Sequence, residues 1–186
     1  MLLLAPFLAV LLAAADGPAR YVIVPEESTV TLRVGKAGLF KFAGHSHEVT
    51  APARGGEIAA DAADLRVTGK DEPPEDQPKV QEAMLGPKVL DAGRYPDIAF
   101  RSQQVSGRET SPGVFELQVR GELTLHGVSR PLTLPVHVER AGTLVASGRT
   151  SIRQTDYGIK PVSVAGVVNV RNEVEVEFRF TARASP

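Results

Sequence analysis

The sequence predicts an all-β, antiparallel fold, and three observations lead there. Apolar and polar side chains alternate with a period of two through almost every segment beyond residue 20, the spacing at which neighbours on a pleated strand point to opposite faces. Gly142, Gly148, Gly158, Gly166 and Asn172 punctuate the second half at intervals that suit short strands joined by turns. Only one stretch, about residues 78–91, changes to helical spacing, so helix and strand do not alternate and a parallel α/β sheet is excluded. Each strand has one dry face, a requirement that a closed barrel and a two-sheet sandwich meet equally well.

In chain order, Leu2 to Leu12 is almost wholly apolar and runs into Ala13-Ala14-Ala15, the small-residue pattern that signal peptidase cleaves. Residues 1–15 are therefore expected to be a signal peptide, although no Lys or Arg precedes the apolar core, and the mature chain is expected to be periplasmic or secreted. The run falls short of the roughly 20 residues that cross a bilayer, so no stable membrane span is expected. No Cys follows it to take a lipoprotein anchor. The remainder suits one domain.

The first clear strand sets Val30, Leu32 and Val34 against Thr29, Thr31 and Arg33, and Leu65 and Val67 flank Arg66. Asp71 to Pro78 reads as a Pro-rich, acidic, solvated loop, after which Val80, Met84 and Val89 fall at helical intervals. Gly86-Pro87 divides that stretch into a helix from about Pro78 to Leu85, its Met84 and Leu85 packing over one end of the fold, and a turn near Lys88 to Asp91. Asp91 to Pro96 then turns into a strand beginning near Asp97, with Ile98 and Phe100 on one face. The most regular hairpin follows: Phe115, Leu117, Val119, Leu123 and Leu125 share one face, and Leu132, Leu134, Val136 and Val138 continue the apolar series beyond a compact turn at His126-Gly127. Near the end, Val174, Val176, Phe178 and Phe180 oppose Glu173, Glu175, Glu177 and Arg179.

Composition narrows the chemistry. With no Cys there is no disulfide, thiolate metal site or cysteine nucleophile. A net charge of −1, from 21 basic and 22 acidic residues, leaves no electrostatic footprint for nucleic acid. The His45-Ser46-His47 segment directs two imidazoles to one face of a strand, the way β-sheet proteins present a pair of metal ligands, yet a site needs further ligands and only His126 and His137 remain among the histidines. A metal-binding or redox accessory role through His45 and His47 is therefore the alternative reading, with no metal or other cofactor as the main one. Ser46 lacks the following Gly and the strand-to-helix turn of a nucleophile elbow, so no catalytic residue is assigned. Gly55-Gly56 lacks the Lys-Ser/Thr and helix of a phosphate loop and reads as a bulge or bend. Asp156 is expected to be a buried acid paired with Arg153, and Arg130-Pro131 to be architectural, since Pro holds the preceding residue extended.

Three ordered segments resemble the YceI family of periplasmic lipid-binding proteins: Gly121-Glu122-Leu123-Thr124-Leu125-His126-Gly127-Val128 with Arg130-Pro131, Tyr95-Pro96-Asp97-Ile98-Ala99-Phe100 after a helical segment, and Ile152-Arg153-Gln154-Thr155-Asp156-Tyr157-Gly158-Ile159. The resemblance runs from Tyr21 to about Ala182, residues 21–182, as one domain. It implies a lipocalin-like antiparallel β-barrel that is not an enzyme and encloses a polyisoprenoid or other long-chain lipid. The chain departs from the family at Phe42 to Val49, where many members carry a Gly-x-Phe segment.

If a lipid lies inside, its lining comes from the apolar rows. Candidates in the first half are Val30, Leu32, Phe40, Phe42, Met84, Leu85, Ile98 and Phe100; in the second half they are Leu117, Leu123, Leu134, Val136, Ile152, Val176 and Phe178. About half are expected to touch ligand, since small barrels also fill their interiors with side chains. Lys36, Lys41 and Arg54 are candidates to meet an anionic head group, and a second copy, as a homodimer, is the protein partner left open.

Overall fold

The computed structural model describes residues 21–37, 47–52, 58–68, 74–164 and 168–184. The expected signal peptide, Phe40, Lys41, Phe42, His45, Ser46, Arg54 and Gly55-Gly56 lie outside them. The described chain forms β1 (Tyr21–Ile23), β2 (Thr29–Ala37), β3 (His47–Pro52), β4 (Ile58–Asp61), β5 (Arg66–Val67), a helix α1 (Gln77–Leu85), β6 (Asp97–Ser111), β7 (Val114–Leu125), β8 (Val128–Ala141), β9 (Thr143–Arg153), β10 (Ser163–Val164) and β11 (Val168–Ala184). The helix starts one residue before its predicted position, and β6 begins at Asp97 as expected.

All pairings are antiparallel, in one sheet ordered β4-β6-β7-β8-β9-β11-β2-β3-β5, with β1 and β10 also on β11. One sheet replaces the two a sandwich needs, and the sheet curls. Its two ends, β4 and β5, are consecutive in the chain, joined through a 3-10 turn at Ala62–Asp64. The five-residue step from Asp61 to Arg66 reaches at most about 18 Å, so the outermost strands of a nine-strand path are brought back together. The β5 end is sealed by a side chain: the Gln81 amide on α1 donates to the Leu65 carbonyl at 2.6 Å and accepts from the Val67 N–H at 2.9 Å. It supplies the pairing a neighbouring strand would otherwise provide.

The β7–β8 turn places His126 at φ 52° and Gly127 at φ 70°, the two left-handed residues of the turn type that matches strand twist. Glycine is required at 127 twice over, because a Cβ there would meet the Tyr95 ring at 2.5 Å. His126 is fixed by its surroundings. Its Nδ1 stands 3.1 Å from the Tyr157 carbonyl, which only accepts, so Nδ1 carries the proton and donates; the Tyr95 ring lies edge-on at 4.8 Å.

One junction is incomplete. β8 and β9 pair only from Ala141↔Thr143 to His137↔Ser147; beyond that, residues 128–136 bond to β7 alone and residues 148–153 to β11 alone. Alternate residues of a strand direct their N–H groups to the same neighbour, and Pro131 and Pro135 share the parity of His137. Their ring nitrogens, which carry no hydrogen, therefore face β9, the side on which a paired strand would need donors. At the apex Gly148 lets the strands touch without bonding, since a Cβ there would lie 2.3 Å from the Pro135 carbonyl oxygen and 2.5 Å from the Phe178 ring.

Candidate functional site

Register aligns the inward rows. Val30↔Phe178↔Gly148, Leu32↔Val176↔Thr150 and Val34↔Val174↔Ile152 run across β2, β11 and β9. Across β7 and β8 the matching rows are Phe115↔Val138, Leu117↔Val136, Val119↔Leu134 and Gly121↔Leu132, with Phe100 opposite Leu123. In these rows Thr150 is the one polar side chain. Arg130, opposite Leu123, stands at the end of these rows. The outward face carries the ion pairs: Arg33 and Arg149 bind Glu177, Arg149 also binds Glu175, and the hydrogen bond from Arg33 holds the Glu177 carboxyl below its ordinary pKa.

The inward side chains form two clusters. The first gathers Ala62, Leu65, Leu90, Leu125, Tyr157 and Ile159, with Leu32, Met84, Leu85, Ile98 and Ile152 packed against it. The second gathers Phe100, Phe115, Leu134, Val136, Val138, Phe178 and Phe180, with Val30, Leu117, Val119 and Leu132 against it. Leu123 touches both, which places the boundary near the C-terminal end of β7. Of the candidate lining residues that are described, twelve fall in these clusters, and Val176 lies in register between Leu32 and Thr150. Many of them point inward yet stay only half-buried: Val30, Leu32, Leu117, Leu123, Ile152 and Val176 are all of this kind.

Several residues were not legible from period two. Leu65 and Ala62 are almost fully buried, at 2% and 1% exposure, because the closing turn carries them into the first cluster. Tyr157 and Ile159 arrive there from a 3-10 turn at Gln154–Tyr157, which no alternation announces. The expected Arg153–Asp156 pair is not formed: Asp156 is exposed, and its backbone carbonyl takes a 3.0 Å hydrogen bond from Nε of Arg130 instead. The chain from 154 to 157 is helical, so the strand spacing on which that pair rested does not hold there. Burial and the Asp156 charge push the Tyr157 hydroxyl above its usual pKa, against the opposing pull of Arg130, and it stays a neutral phenol.

Arg130 marks the opening between β8 and β9. A cleft of about 370 Å³ lies there, lined by Arg130, Pro131 and Leu132 on one side and Ser151, Ile152 and Arg153 on the other, with Asp156, Tyr157 and Glu173 completing it. Leu132 belongs with the second cluster and Ile152 with the first, so the cleft opens toward their boundary. Among the other candidates, His47 sits in β3 opposite Val34 and Lys36 in β2 opposite Val170. No group of three metal-ligating side chains occurs among the described residues. His137 is on the outer face, where hydrogen bonds to Glu116 at 2.7 Å and Glu139 at 3.3 Å raise its pKa.

One antiparallel sheet, curled about its own apolar face with a helix packed against one end, defines a lipocalin-like β-barrel class of protein. The YceI-like domain profile matches residues 21–182, and the chain belongs to that family. A UPF0312 protein of Vibrio parahaemolyticus is 31% identical over 96 residues, covering 46% of this chain and 47% of the relative; the match thus spans about half the length of such relatives. Among solved structures, BcnA of Burkholderia cenocepacia shares 16% identity at a TM-score of 0.58, covering 86% of this chain and 98% of that one. A domain from Saccharophagus degradans described as polyisoprenoid-binding shares 12% identity at a TM-score of 0.59, covering 89% and 98%. At these identities the likeness is one of fold.

Proposed function

We propose that this chain is a non-enzymatic binding protein that carries a polyisoprenoid or similar long-chain amphiphile along the inner face of its sheet, and that it acts in the periplasm or outside the cell once residues 1–15 are removed. The observation that carries this reading is the incomplete burial of inward apolar side chains. A filled core buries its members, whereas Leu32, Leu117, Leu123 and Val176 lie on the inward apolar rows and are only partly buried. The described polyisoprenoid-binding domain of the same fold supports the choice of ligand class.

Magnitude favours a long chain. Each methylene taken from water contributes about 0.8 kcal/mol, so roughly fifteen carbons contribute about 12 kcal/mol, within the range of about 4–15 kcal/mol that association costs. A short chain would not hold, and a longer one binds tightly with little polar recognition. Native mass spectrometry on protein purified from its own host is expected to show a co-purifying apolar molecule. Repeated recovery of empty protein that also ignores added polyisoprenoids would overturn the reading.

A further inference from the structure

Resting on that reading, we propose that the divergence of β8 from β9 is a lateral portal: the hydrocarbon chain of the ligand enters between these two strands, and its polar head stays at the lip beside Arg130 and Arg153. The opening is built into the sequence. Pro131 and Pro135 withhold two of the donors a continued ladder needs, which disfavours pairing of β8 with β9 past His137↔Ser147. Their edges nevertheless face one another, because continuing the same register would set Leu132 opposite Ile152 and Thr133 opposite Ser151.

The lip and the floor differ in the way an amphiphile requires. The floor is Leu132 and Ile152, one from each apolar cluster, so a chain passing between them reaches the boundary where Leu123 touches both. The cleft, about 370 Å³ and open to solvent, has room for several chain carbons at a time. The lip carries two guanidinium groups, Arg130 and Arg153, and two carboxylates, Asp156 and Glu173, with the Ser151 hydroxyl donating to Glu173 at 3.0 Å. Arg130 is anchored by its Nε to the Asp156 carbonyl, which holds its guanidinium at the cleft. Balanced charge of this kind suits a head group without net charge, such as an alcohol, amide or zwitterion, better than a simple anion.

The test closes the portal without touching its floor. Thr133 and Ser151 are exposed, and the chain has no cysteine of its own, so the T133C/S151C variant can be bridged by a short bis-maleimide across the opening. Uptake of a solanesyl chain carrying a dansyl group at its head end is followed by stopped-flow fluorescence. The bridged protein is expected to take up and release the probe at least tenfold more slowly than the same variant unbridged, at unchanged Kd. Equal rates overturn the portal and leave the binding reading standing. Slower uptake with unchanged release overturns it as well, since the bridge has then altered the bound state rather than the path. Failure of the unmodified protein to bind the probe overturns both.

Discussion

The sheet has two weak junctions, and they are resolved in opposite ways. Where its ends meet, between β4 and β5, four covalently linked residues join the strands, Leu65 is buried beneath the turn, and the Gln81 amide pairs with the exposed β5 backbone. Within the sheet, between β8 and β9, two long strands lie side by side and part company after five paired positions. Both junctions have apolar side chains beneath them. The difference is therefore one of hydrogen-bond supply: a borrowed side-chain amide satisfies β5, while two prolines remove the donors β8 would offer.

Four measurements break or sharpen that contrast. The largest effect is expected from Leu65→Ala, which empties a 2%-exposed site beneath the closing turn and costs about 2–5 kcal/mol, read from the midpoint of urea unfolding. Gly148→Ala comes next, at about 1–3 kcal/mol, because the new methyl meets the rigid Pro135 carbonyl at 2.3 Å. Unchanged stability there would mean that β8 and β9 do not touch at the apex. Gln81→Ala leaves the Leu65 carbonyl and Val67 N–H without their partner and should cost about 1–2 kcal/mol, with the Val67 amide exchanging faster with deuterium. Equal exchange in both proteins would show that the amide does not seal β5.

The smallest effect concerns His137, the last paired residue of β8 before the strands part. Its pKa is raised in the fold by hydrogen bonds to Glu116 and Glu139, so the protonated form is favoured there. That stabilisation is fully present below the unfolded value near 6.5 and is lost as pH rises through the higher folded value. Urea midpoints should fall slightly across that window, and His137→Gln should flatten the change; a parallel fall in both proteins would remove His137 as the cause. Solvent exposure of all three side chains keeps the effect small.

What the sequence revealed follows from what has a period. The alternating rows from Phe115 to Val138 and from Val174 to Phe180 are visible because one side chain in two must leave water, and the change to helical spacing at Val80 and Met84 locates α1 within a residue. Alternation could not choose barrel over sandwich, because curvature resides in the return from Asp61 to Arg66, which has no repeat. The contributions of Leu90, Tyr157 and Ile159 were hidden for the same reason. The β8–β9 opening did leave a mark, two prolines four apart within an apolar strand, but its meaning depends on which neighbour those nitrogens face. Only the pairing order supplies that. From the sequence Arg130 reads as architecture, and in the structure its bond to the Asp156 carbonyl stands where strand spacing predicts an Arg153 pairing.

The seventeen-residue β11 sets an order of events for the growing chain. It pairs with β1, β2, β9 and β10, and the buried Ser28 hydroxyl accepts from the Thr181 N–H across 153 positions of sequence. Until those last residues are made, β1 has no partner, β2 has only β3, and β9 is an open edge. Such remote closure is slow, because chain entropy is spent before contacts return it. Synthesis stopped short of Val168 would leave three strand edges exposed at once, the condition under which β-rich chains aggregate.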